Sequence, residues 1–110
     1  MRMSSFDQVI WQFIWVCGGL WKMRGEHISD FLNRLDQRVT ELLVLKMCPH
    51  FLDNGLPKLL AAFFVNRLVA NDRELVRAWR YEDQNRITLL RPVHTKLMKL
   101  LLRCNYRVGV

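Results

Sequence analysis

At 110 residues and 13.2 kDa, the chain has the size of one small domain, 1–110. Its 51% hydrophobic and 25% charged content excludes wholesale disorder, and its five glycines and three prolines exclude repeat, collagen-like and linker architecture. The net charge of +7 is gathered at one end: residues 1–72 hold eight Lys/Arg against seven Asp/Glu, and residues 73–110 hold nine against three.

The first helix is expected from about Ser5 to Trp21, with Ser4 or Ser5 as its N-cap. Helical spacing gathers Phe6, Val9, Ile10, Phe13, Ile14, Cys17 and Leu20 on one face. Trp11 and Trp15 fall outside that stripe, one turn apart, beside Gln8 and Gln12. The apolar run from Val9 to Trp21 amounts to about 20 Å of helix, short of the ~30 Å hydrocarbon core. It is followed by Lys22 and Arg24 rather than a small-residue cleavage site, so it reads as a buried helix rather than a leader or a span. Gly18-Gly19 and Gly25 weaken or end it.

A long second helix follows, from about Glu26 to Met47, with Ile28, Phe31, Leu32, Leu35, Val39, Leu42 and Leu43 inward and Asn33, Arg34, Asp36, Gln37 and Arg38 outward. Pro49 stops it, and Asn54-Gly55 marks a turn. Pro57 suits the first turn of a third helix carrying Leu59, Leu60, Phe63, Phe64 and Leu68. Asn71 or Asp72 is expected to cap a fourth helix, Arg73 to about Asp83, with a short apolar face of Leu75, Val76 and Trp79. Ile87 to Leu90 is ambiguous between helix and strand. Pro92 is expected to open the last helix, with Val93, Leu97, Leu100, Leu101 and Cys104 inward. The fold class that follows is all-α, a compact bundle of about five amphipathic helices in a single domain.

Chemistry is bounded mostly by absence. Cys17, Cys48 and Cys104 are odd in number and widely spaced, which is no secreted disulfide framework and points to a reducing, cytoplasmic or nuclear setting. Cys48-Pro49-His50 is one loose pair of potential ligands where structural zinc needs two tight ones, so no metal and no cofactor are expected. The same pair as a thiol–imidazole couple is ill placed, because residues two apart across a proline seldom converge. Neither phosphate-cradling glycine motif occurs. An enzyme is not expected.

Two surface features remain. Arg91, Lys96, Lys99, Arg103 and Arg107 recur at spacings of three to five, and from Lys96 onward they form one stripe opposite the apolar face. Arg73, Arg77 and Arg80 form a shorter row. Such rows suit phosphate or acidic partners, against the plain alternative of a solvated helix face. Tryptophan and arginine are the residues most enriched in binding hot spots. Trp11 and Trp15 therefore read as a docking patch or a homodimer seam, against the alternative of a helix buried all round. The arginine-, leucine- and tryptophan-rich composition also suits a small viral accessory protein. The first functional reading is a non-enzymatic interaction or regulatory protein that binds a protein partner, with the aromatics as anchor and the basic face as steering. The second is a nucleic-acid-binding protein that uses the basic face. The third is membrane-surface association through the first helix.

Overall fold

The structure is a computed structural model and describes residues 11, 14–48 and 50–106. The fold is all-α, and the described residues hold four α-helices rather than five. Besides a helical stretch at 14–18 (α1), these are Ile28–Leu43 (α2), Leu56–Arg80 (α3) and Gln84–Arg103 (α4), with a 3-10 turn at His50–Leu52. They gather into two compact units, Met1–Asn54 and Gly55–Val110. The boundary falls in the turn that Asn54-Gly55 encodes.

In the first unit, α1 gives way to a turn at Gly19-Leu20, where the Leu20 amide donates to the Cys17 carbonyl at 2.9 Å. Val16, Cys17 and Leu20 are buried. Ile14 is 53% exposed, although its spacing put it in the core stripe. The buried face is turned toward Val16, and Trp11 and Trp15 lie outside it. The predicted cap at Ser4 or Ser5 and the stripe residues Phe6, Val9, Ile10 and Phe13 lie outside the described residues.

Helix α2 buries Phe31, Leu35, Val39 and Leu42, the stripe expected from its 3.6-residue period. It starts two residues later than the pattern suggests, because His27 caps it and accepts from the Ser29 amide at 3.3 Å. It stops at Leu43, well short of Met47. The Val44 and Leu45 amides both close on the Thr40 carbonyl, and Lys46 turns left-handed at φ 53°. Arg34 and Arg38, expected to face solvent, instead fold back over residues 15–26. Gly19 makes room for this, since a Cβ there would meet the Arg38 stem at 3.1 Å.

In the second unit, the helices expected at 57–68 and 73–83 are one continuous α3. The reason is Asn71. It is 9% exposed, and its side-chain amide donates to the Leu90 carbonyl at 3.1 Å instead of capping a new helix. The inward face of α3 therefore keeps one phase through Leu60, Phe64, Leu68, Asn71 and Ala78. Val76 and Trp79, expected inside, are turned outward at 59% and 50% exposure.

Helix α4 begins at Gln84, where Asp83 accepts from the Arg86 amide at 3.2 Å, and Pro92 lies inside it rather than at its start. Ile87 to Leu90 is thus helical. From Arg86–Glu74 to Leu90–Asn71 the contacts climb α4 as they descend α3, which makes the pair antiparallel, and Asp72–His94 joins them one turn further along α4. Ile87, Val93, Leu97, Leu100 and Leu101 face inward.

The three-residue link between α3 and α4 places Glu82 at φ 54°, with the Asp83 amide on the Ala78 carbonyl at 2.9 Å and the Glu82 amide on that of Trp79 at 3.1 Å. This helix-ending motif normally takes glycine at that position, because other residues pay for the left-handed conformation. Glu82→Gly is expected to stabilise the protein by about 0.5–1 kcal/mol in urea unfolding. A loss of stability would mean that the Glu82 side chain contributes more than its backbone strain costs.

Candidate interaction surfaces

Trp11 and, four residues on in α1, Trp15 are both exposed, at 60% and 49%. Trp15 is partly covered from behind. The Arg38 guanidinium lies 4.3 Å from the ring centroid and donates to the Trp15 carbonyl at 2.9 Å. This stacking holds the indole in a fixed orientation while leaving much of the ring open.

The basic residues of α4 do not form a single row. Lys99 and Arg103 are exposed and Lys96 is half-buried, and helical geometry places the three within about 60° of one another. They lie away from Val93, Leu97, Leu100 and Leu101, as expected. Arg91 is about 80° further round, with its guanidinium 5.1 Å over the Trp79 ring. Arg107 lies outside the described residues. The boundary at Asn54–Gly55 sharpens the charge asymmetry: the first unit carries six Lys/Arg and six Asp/Glu, the second eleven and four, so the whole +7 belongs to the second.

The shorter row of Arg73, Arg77 and Arg80 has an apolar neighbour that the sequence pattern hides, because Val76, expected in the core, is turned outward. On the outward side of α3, Val69 and Val76 line a shallow groove of about 790 Å³ with Asp72, Arg73, Arg77, Arg80 and Tyr81. Carrying the phase of α3 unbroken through Asn71 would have revealed it.

The loop at residues 48–53 has a different character. The Cys48 thiol donates to Asp53 at 2.9 Å, and His50 pairs with the other oxygen of the same carboxylate at 3.5 Å. Burial, then the hydrogen bond to the Asp53 carboxylate, push the thiol up to about 11. Cys48 is therefore a protonated donor at neutral pH, and thiols react as thiolates. Among the described residues no group of three His, Cys, Asp or Glu is placed to hold a metal ion. No described helix is long and apolar enough to cross a membrane.

No family model, curated protein or solved structure matches the chain.

Proposed function

We propose that the protein is a small non-enzymatic interaction protein that binds a protein partner through Trp11 and Trp15, with the basic face of α4 steering the encounter. One observation carries this reading. All four tryptophans, Trp11, Trp15, Trp21 and Trp79, are about half exposed or more, while the largest fully buried side chains are leucine, valine and phenylalanine. Tryptophan is the side chain with most to gain from burial, and its enrichment on a surface is the usual mark of a contact region. Steering fits the distribution of charge, since complementary fields mainly raise association rates.

The second reading, nucleic-acid binding through Lys96, Lys99 and Arg103, is favoured by the concentration of the whole net charge in one unit.

The test is affinity capture with nuclease-treated and untreated extract, using the wild type and a Trp11→Gln/Trp15→Gln variant. The expected result is a protein that stays bound after nuclease treatment and binds at least about tenfold more weakly to the variant, whose helical circular dichroism is unchanged. Material that disappears with nuclease and ignores the tryptophans supports the second reading instead. Unfolding of the variant would place the two indoles in the core.

A further inference from the structure

The outward face of α3 carries a pattern that a solvated helix does not need. Val69 and Val76 are seven residues apart, two turns along one line, and stand 46% and 59% exposed. Arg73 and Arg80, also seven apart, run beside them on one flank, with Arg77 beyond. Helix α3 carries two acids, and both are engaged. Asp72 takes His94 Nδ1 at 2.6 Å, and Glu74 takes Arg86 at 2.7 Å and Arg77 at 3.6 Å. Arg73 and Arg80 have no acidic partner among the described residues.

We propose that this face binds an acidic amphipathic helix of a protein partner in coiled-coil-like pairing. Apolar residues of the partner would cover Val69 and Val76, and its glutamates or aspartates would meet Arg73 and Arg80. β-Branched residues on a seven-residue repeat suit the seam of a two-helix pair, and the charges flanking a seam select the partner. The stretch from Val69 to Arg80 is about 18 Å long, so three turns of the incoming helix suffice. A second copy of the chain fits poorly, since an antiparallel copy would set the same arginines against each other and a parallel one would set them against Leu68 and Leu75, with no acid in either case. A nucleic-acid backbone would follow the cations and leave the valine line uncovered. The proposal uses neither Trp11 nor Trp15, so it stands or falls separately from the contact assigned to them.

The probe is a fluorescein-labelled peptide with a heptad-spaced line of leucines flanked by glutamates, titrated into the full chain and read by anisotropy. Controls are the same composition in scrambled order and a single-stranded DNA oligomer. Saturable binding is expected for the patterned peptide and not for the scrambled one. R73E/R80E and V76D should each weaken it about tenfold, with circular dichroism unchanged. K99E on α4 and the Trp11→Gln/Trp15→Gln variant should leave it as it was. A lysine-flanked version of the peptide should bind R73E/R80E better than it binds the wild type, and this gain cannot come from misfolding. Absence of saturable binding, equal binding of the scrambled peptide, or binding of the DNA alone through Arg73 and Arg80 would each overturn the proposal.

Discussion

Phe64→Ala is expected to cost about 3–5 kcal/mol. Phe64 is fully buried, on the inward face of α3 between Leu60 and Leu68, and its ring meets that of Phe63 edge-on at 5.8 Å and 77°. Truncation to the β-carbon removes the apolar transfer term and leaves a cavity that two paired helices close only in part. A chain of this size has a total stability of about 5–15 kcal/mol, so one substitution removes a large share of it. Urea unfolding followed by circular dichroism measures the loss. Val76→Ala on the opposite face of α3 is the control and should stay within about 0.5 kcal/mol, because its side chain is already largely in water. A loss below about 1 kcal/mol at Phe64 would mean that the inward face of α3 is not the core of its unit.

The inward faces of α2 and α4 were legible because a 3.6-residue period runs unbroken through Phe31, Leu35, Val39 and Leu42, and through Val93, Leu97, Leu100, Leu101 and Cys104. The misread positions share a physical cause. Asn71 and Pro92 are residue types with strong local preferences, for capping and for helix starts, and in each case tertiary structure overrides the preference. Asn71 finds its hydrogen bond across the hairpin at Leu90, and Pro92 is carried within a helix already started by the Asp83 cap. Once Asn71 is read as a cap, the phase of the next turn is lost and Val76 and Trp79 move to the wrong side. The exposure of Trp11 and Trp15 followed from their offset against Cys17 and Leu20. The roles of Arg34 and Arg38 did not, since a charged residue on a polar helix face carries no local mark of a partner thirteen to twenty-three residues away.

Arg34→Met is expected to destabilise the protein at neutral pH, and part of the loss should depend on pH. The Arg34 guanidinium donates to the Gly19 carbonyl at 2.6 Å, to the Trp21 carbonyl, and with two nitrogens to the Glu26 carboxylate at 2.9 and 3.0 Å. It thereby fastens the segment between α1 and α2 onto the second turn of α2. Hydrogen bonds from charged donors contribute about 1.5–3 kcal/mol each, so loss of the two carbonyl contacts should cost about 2 kcal/mol or more. The Glu26 bond adds a part that titrates. The Arg34 hydrogen bond, then the one from the Met23 amide, hold the Glu26 carboxyl down at about 2, against an ordinary 4.5. A carboxyl lowered in the folded state gives stability that is full above its unfolded value and is lost as pH falls through the folded one. In the wild type this contribution should fade between about pH 4.5 and 2. Methionine keeps the aliphatic stem but donates nothing, so the Glu26 carboxyl should return toward its ordinary value and lose most of that pH dependence. Urea unfolding of both proteins from neutral to acid pH should give a stability gap that narrows on acidification. It should not close, because the two carbonyl contacts do not titrate. A gap that stays constant with pH would show that the Glu26 ion pair adds nothing to the fastening, leaving the carbonyl contacts as its whole source.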